Sequence, residues 1–283
     1  MLSAILKPKS MNLSISEQLC YSTIRIECFN SKGQGSTGTS FIFNYKLDEN
    51  QSIPIIITNK HVIQDMEFAQ FIMTQSDNLG NPINTKHFPV RLQINNFVRM
   101  HPDDDIDLCA FPLVPILEHA KQNNVNLFFK NFDQTLIPNS AQLNELNALE
   151  SIIMIGYPNG IWDSVNNMPI LRKGSTATHP CLNYNGKKEF MIDAACFPGS
   201  SGSPVLILNT NGYSTKSGTF MMGQPRILLL GVLYGGPQHI ATGDIRIMAL
   251  PTDPKPISIS QIPNNLGNVI KSEKILDLVN LFK

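Results

Sequence analysis

The nine residues Phe197–Val205, FPGSSGSPV, hold three serines and two glycines directly before the apolar run that ends at Leu208. Glycines at 199 and 202 allow a sharp backbone turn in which successive N–H groups point into one hollow. A nucleophilic serine in such a turn can use its own N–H and that of Gly199 to hold the oxyanion that it creates. Ser201 is therefore a candidate nucleophile. A tight turn before a strand explains the stretch alone equally well.

A nucleophilic serine needs a base, and the segment TNKHVI (58–63) offers His61. It follows the apolar run IPIII, so this histidine lies at a strand end rather than in a polar tail. The remaining histidines have less constrained surroundings and no metal-ligand spacing, and they are interpreted as surface or loop residues: His87, His101, His119, His179 and His239. His61 is therefore the candidate base.

An imidazole base needs a carboxylate to orient it, and HPDDDIDLCAFPL (101–113) supplies four aspartates before an apolar run. The first two aspartates, Asp103 and Asp104, fit a solvated acidic turn. Asp107 directly precedes LCAF, so it enters the core and can be shielded from water. Asp105 is the alternative, since DIDL fits the same pattern. The choice of Asp107 places Cys109 at the position where a small, sheltered residue is expected.

Short runs rich in Ile, Phe and Thr, separated by Gly, Asn and Asp clusters, predict an all-β chain built as a barrel or sandwich. Helices are expected at 114–129 and, from the three- and four-residue spacing of apolar residues, at 266–283. The polar segment 209–220 predicts an exposed hairpin. The strand-like runs are 22–29, 39–45, 52–59, 87–94, 107–114, 150–157, 189–196, 203–208 and 227–235.

Composition narrows the function classes. The chain has 283 residues, and its 22 Lys and Arg balance 22 Asp and Glu, so we expect neither nucleic acid nor membrane as a partner. Five spread cysteines without a CxxC pair indicate neither a zinc site nor a disulfide framework. The N-terminal MLSAILKPKSMNLSISEQ lacks the apolar core of a signal peptide, which favours a cytoplasmic protein.

The candidate residues follow one another in the order His61, Asp107, Ser201. This is the chain order of the chymotrypsin-type proteases and differs from the subtilisin and α/β-hydrolase orders. With its motifs the chain resembles the trypsin-like serine peptidases of the chymotrypsin fold, nearest the bacterial glutamyl endopeptidases and HtrA-type proteases. TNKHV is similar to the histidine motif of the former, and DAACFPGSSGSP to the serine motifs of both. GSTGTSFIF (35–43) and IGYPNG (155–160) resemble the strand before the histidine and the turn that opens the second barrel. The similarity runs from about residue 22 to 236.

The resemblance implies one peptidase domain with a double β-barrel. The first barrel would span about 20–115, a linker with a helix 116–148, the second barrel 149–250, and a C-terminal helix 266–283. It implies peptide-bond hydrolysis through an acyl-enzyme, with His61 as base and acid, Asp107 as orienting group and Ser201 as nucleophile. The N–H groups of Gly199 and Ser201 would form the oxyanion hole, and no cofactor or metal is needed.

By offset from the nucleophile, the substrate-binding pocket would be lined by Ala195, Cys196, Tyr234 and Gly235. It has no acidic floor, so a small or medium apolar P1 residue is expected, with a protein or peptide as the substrate. Ser200 stands where the family has Asp or Asn, so activation by a cleaved N-terminus is not expected. Control by loops or by a regulatory protein partner is favoured instead. A catalytically silent pseudoprotease that binds peptides, and an esterase, are the alternative functions.

Overall fold

The strands of the first half form one antiparallel sheet in this computed structural model, which describes residues 12–244 and 257–283. Seven of its eight strands pair in the order β5–β4–β1–β2–β3–β7–β6, and the eighth, β8, pairs with β4. Their burial follows their β-branched and aromatic content, and Ile55, Ile56 and Ile57 are fully buried. These strands are β1 (Thr23–Phe29), β2 (Gly35–Lys46), β3 (Ser52–Thr58), β4 (Phe68–Ser76), β5 (Pro82–Gln93), β6 (Arg99–Met100), β7 (Cys109–Pro112) and β8 (Leu127–Phe128).

The second half forms a closed barrel of six strands, paired in the order β10–β11–β18–β15–β12–β9. Two hairpins, β13–β14 and β16–β17, lie outside the barrel. The expected all-β double-barrel class is confirmed. The strands are β9 (Ser151–Gly156), β10 (Ile170–Thr176), β11 (Glu189–Asp193), β12 (Pro204–Asn209), β13 (Gly212–Ser214), β14 (Phe220–Met222), β15 (Arg226–Gly235), β16 (Gln238–Asp244), β17 (Ile257–Pro263) and β18 (Leu266–Lys271).

Short helices connect these strands. A helix not expected from the sequence starts the described chain, with Ser14 and Glu17 forming a reciprocal capping box. The helix predicted at 114–129 ends at Gln122, and the hairpin predicted at 209–220 is formed by β13 and β14. The helices are α1 (Ile15–Ser22), α2 (Lys60–Ile63), α3 (Ile94–Phe97), α4 (Val114–Gln122), α5 (Ser140–Asn144) and α6 (Lys274–Val279).

The C-terminal segment corrects the prediction of a helix over 266–283. Residues 266–271 form β18, which pairs with β11 on one side and β15 on the other and so closes the second barrel. Only Lys274–Val279 is α-helical, and a short 3₁₀ turn follows it. The spacing of Leu266, Val269 and Ile270 suits a helix, but strand pairing on both edges outweighs a local pattern. The second barrel therefore extends past its predicted end at 250.

The two barrels share one apolar cluster. Phe41 and Phe43 from β2 pack in it with Ile155 and Leu229 from the second barrel. Ile275, Leu278 and Val279 of α6 are fully buried in the same cluster. Burial of each such side chain stabilises the fold by about 1.5–3 kcal/mol. This shared core fixes the barrels against each other and positions the residues at their interface.

Candidate active site

His61 lies where β3 leaves the first barrel. The strand ends at Thr58, and α2 begins at Lys60. The next two residues, Val62 and Ile63, are 3% and 2% exposed, whereas 42% of the His61 side chain is exposed. Apolar anchoring on one side of this short turn therefore leaves the imidazole exposed at the surface.

Asp107 contacts His61 at two points. Its Oδ2 lies 2.5 Å from His61 Nδ1, and its Oδ1 accepts a hydrogen bond from the His61 backbone N–H at 3.1 Å. Asn59 Nδ2 also donates to the Asp107 carbonyl oxygen at 2.6 Å. The alternative, Asp105, is exposed on the same loop. The structure thus joins His61 to Asp107, and the Nδ1 contact leaves Nε2 available for proton transfer.

The loop that carries Asp107 is anchored by buried His101, which is 2% exposed. Its Nδ1 accepts a hydrogen bond from the Asp103 N–H at 3.0 Å, and its Nε2 lies 3.3 Å from Oδ2 of Asp277 on α6. Lys60 Nζ donates to the Asp103 carbonyl oxygen at 3.0 Å. Burial lowers the pKa of His101 and outweighs the nearby Asp277 carboxylate, which raises it.

The turn at Ser201 leaves two backbone donors without acceptors. Ser200 N–H donates to Phe197 O at 3.0 Å, Gly202 N–H to Leu233 O at 2.8 Å, and Ser203 N–H to Ser200 O at 3.0 Å. Within residues 12–244 and 257–283, the N–H groups of Gly199 and Ser201 have no acceptor. Two N–H groups on one tight turn are therefore available to a substrate oxygen.

The orientation of this turn is set through its carbonyl groups. Pro198 O accepts a hydrogen bond from Asn159 N–H at 2.5 Å, and in a trans peptide this directs the Gly199 N–H the opposite way. Thr39 Oγ1 donates to Gly199 O at 3.0 Å, and Thr39 N–H donates to Ser201 O at 2.8 Å. Donors from both barrels therefore fix the conformation of this turn.

Glycine is required at both turn positions. Gly199 has φ +82°, and an added Cβ would lie 2.6 Å from Tyr157 O. Gly202 has φ +89°, and its Cβ would lie 1.9 Å from Thr39 O. No L side chain fits such contacts, so the turn packs directly on Tyr157 after β9 at Gly199 and on β2 of the first barrel at Gly202.

The Ser201 hydroxyl donates to the Tyr234 carbonyl oxygen at 3.4 Å. Among the described residues it makes no hydrogen bond to His61. A weak hydrogen bond of this kind contributes about 1 kcal/mol, so rotation of the hydroxyl is easily driven by a substrate.

The four predicted pocket residues lie around this turn. Ala195 O accepts a hydrogen bond from Arg172, and Cys196 packs so closely on Gly267 that a Cβ there would lie 2.6 Å from its Sγ. Burial raises the pKa of the Cys196 thiol to about 11, although nearby Arg172 lowers it. Such a thiol is protonated and behaves as a small apolar group.

Tyr234 is fixed at its ring as well as at its backbone. Its hydroxyl donates to Oε2 of Glu189, which is 8% exposed. Burial raises the pKa of Tyr234, and the hydrogen bond to Glu189 raises it further. Gly235 follows at the half-buried end of β15. The segment that would form one wall of the pocket is thereby held in place.

Sequence reasoning missed three residues that shape this site. Thr39 and Asn159 lie within GSTGTSFIF and IGYPNG, so the motifs contained them without indicating their contacts. Arg172 gave no indication, because β10 was not among the predicted strands.

No group of three or more His, Cys, Asp or Glu side chains in the described ranges is arranged to hold a metal ion. Among the helices that the structure describes, none is long and apolar enough to cross a membrane.

Comparison with known proteins identifies the family to which this sequence belongs. The trypsin-like peptidase domain family matches residues 38–212, more than half of the chain. No curated protein sequence matches it.

Solved structures with similar chains include two proteases. An inactive mutant form of Rv3671c from M. tuberculosis H37Rv is 12% identical, with 94% of this chain and 88% of that chain covered and a TM-score of 0.45. The HtrA-type protease AlgW with a tripeptide is 13% identical, with 93% of this chain covered and a TM-score of 0.47. This chain covers 60% of that AlgW chain. Because both TM-scores lie below 0.5, family membership rests on the sequence match.

Proposed function

The chain belongs to the trypsin-like peptidase domain family and is a serine protease, and we propose that it is an endopeptidase in which His61, Asp107 and Ser201 form the catalytic triad. The observation that carries this proposal is the two-point contact between His61 and Asp107 beside a turn with two free N–H donors. A chain freed from catalysis would have no need of all these features.

In the proposed reaction the substrate carbonyl carbon lies over Ser201, and its oxygen accepts hydrogen bonds from the N–H groups of Gly199 and Ser201. The Ser201 hydroxyl turns from Tyr234 O to His61 Nε2, which takes its proton as Oγ attacks. Asp107 accepts the Nδ1–H hydrogen bond and stabilises the imidazolium. His61 then gives the proton to the leaving amine, and an acyl-enzyme remains on Ser201.

Deacylation reverses these roles. His61 takes a proton from a water molecule, which attacks the acyl carbonyl, and returns that proton to Ser201 Oγ. The same two N–H donors stabilise the second oxyanion. In comparable sites one such donor accounts for about 10²–10³-fold in kcat. The chemistry proposed here requires no cofactor.

The substrate class and control of the enzyme are also proposals. Ala195, Cys196, Tyr234 and Gly235 would line the pocket for the P1 side chain of a protein or peptide. Ser200 is neutral, so there is no carboxylate at this position to bind a newly formed N-terminus. This supports control by loops or by a regulatory protein partner. Neither a nucleic acid nor a membrane is proposed as a partner, and a cytoplasmic location is proposed from the N-terminal sequence.

The test is labelling with a fluorophosphonate probe, which reacts with an activated serine held beside an oxyanion hole. We expect labelling of the wild type and loss of labelling in Ser201→Ala and His61→Ala. Ser217→Ala, in the exposed hairpin loop, is the control and should label like the wild type. A folded wild-type protein that is not labelled would favour the peptide-binding pseudoprotease. Turnover of esters without turnover of peptides would identify an esterase.

A further inference from the structure

Arg172 on β10 carries a largely buried guanidinium that has no carboxylate partner among the described residues. Its Nη1 donates to Ala195 O at 2.6 Å and to Ser200 Oγ at 2.8 Å. Its Nε and Nη2 are buried and have no hydrogen-bond partner in the part of the chain that the structure describes. An uncompensated buried cation is costly, so its presence calls for a functional explanation.

The two acceptors lie at opposite ends of the segment 195–200. Ser200 is 1% exposed and directly precedes Ser201, and its N–H closes the turn on Phe197 O at 3.0 Å. One nitrogen of Arg172 thus ties the start of this segment to its end. Gly199, whose N–H is one of the two free donors, lies between these anchor points.

The other contacts of this turn come from uncharged donors. Asn159 N–H holds Pro198 O, and Thr39 holds Gly199 O and Ser201 O. Of these donors Arg172 alone bears a charge, and hydrogen bonds from charged donors are about twice as strong as neutral ones. Burial lowers the pKa of Arg172, but an arginine remains protonated at any physiological pH.

We infer that Arg172 is the positioning residue that keeps the oxyanion turn in its catalytic geometry. This inference rests on the proposed function of Ser201. Arg172 supplies a charged donor from β10 to both ends of the segment 195–200, so the turn is preformed by the folded chain itself.

The experiment compares Arg172→Met, which keeps the length of the aliphatic stem, with Lys173→Met, which removes the same charge from an exposed neighbour. We expect Arg172→Met to lower kcat about 100-fold, similar to loss of one oxyanion donor, with KM changed less than about threefold. Lys173→Met should keep the wild-type constants. Arg172→Lys should recover part of kcat, because one charged donor remains.

Chemical rescue separates positioning from general stability. Added guanidinium at millimolar concentration should raise kcat of Arg172→Ala at least about tenfold by occupying the vacated space, whereas urea at the same concentration should not. A merely structural role would lower the melting temperature without such rescue.

Three outcomes would overturn the inference. One is unchanged kcat in a folded Arg172→Met protein, and another is rescue by urea as effective as rescue by guanidinium. The third is a loss confined to substrates with Glu or Asp at P1, which would make Arg172 a recognition residue. A wild-type enzyme without any peptidase activity would instead refute the proposed function, so the two failures are distinguishable.

Discussion

The two halves of the candidate site are held by different means. In the first barrel, His61 and Asp107 contact each other directly through side chain and backbone. In the second barrel, the Ser201 turn is held through its carbonyl groups by Asn159, Thr39 and Arg172. The first half thus depends on one carboxylate, and the second on several donors that each contribute a part. Substitutions should distinguish these two designs.

The largest effect is expected from Asp107→Asn. The amide would favour the wrong imidazole tautomer and cannot stabilise the imidazolium, so kcat should fall about 10⁴-fold. Steady-state kinetics on a peptide substrate measure this. Asp105→Asn, on the same exposed loop, is the matched control and should change kcat less than about twofold. Equal losses in both variants would refute the assignment of Asp107.

The next effect is expected from Gly202→Ala, which tests how tightly the turn packs on the first barrel. The new Cβ would lie 1.9 Å from Thr39 O at φ +89°, so the free energy of unfolding should fall by about 3–5 kcal/mol. Gly186→Ala has a similar φ of +79° with no atom within 4 Å of the new Cβ, and should lose about 1–2 kcal/mol. Urea denaturation measures both. Similar losses in both variants would show that the cost of the substitution comes from backbone strain and not from contact between the barrels.

Thr39→Val removes the hydroxyl group that contacts the turn. The Gly199 carbonyl oxygen would lose its donor, the Tyr157 N–H and the Ser203 hydroxyl would lose their acceptor, and kcat should fall about 10-fold as the turn loosens. Ser40→Ala is the control, because its buried hydroxyl donates to Ile24 O within the first barrel. It should lower stability with kcat unchanged. A fall in kcat in both variants would indicate general destabilisation.

The smallest effect is expected in the pH dependence of protein stability, through His101 in the loop that holds Asp107. The pKa of His101 is lowered in the folded state, so the unfolded chain binds more protons as the pH falls below about 6.5. The contribution of neutral His101 to the stability of the folded protein is complete above that pH. It is lost as the pH falls toward the lower pKa of His101 in the folded state. His101→Gln should therefore show a smaller decrease in melting temperature between pH 7 and pH 5 than the wild type. Identical decreases would exclude His101 as the source.

How much of this could be predicted from the sequence also differs between the halves. The motif around His61 and the entry of Asp107 into the core are local patterns, and the structure brings these two residues together. The segment 266–271 was wrongly predicted as helix, because its role as the closing strand depends on β11 and β15. Arg172 lies 28 residues from Ser200 along the chain, and its contact has no local signature. The stretch 197–205 identifies Ser201 and its glycines locally, but the contacts that hold this turn come from distant parts of the chain and have no local pattern.

The central claim is that Ser201 is the activated serine of this site. Its most direct test is peptide mapping by mass spectrometry after reaction of the wild type with a fluorophosphonate. Ser200 and Ser203 are 1% and 0% exposed, whereas Ser201 is partly exposed. We predict a single adduct, located on Ser201. An adduct on any other serine, or no adduct on a folded protein, would contradict the account.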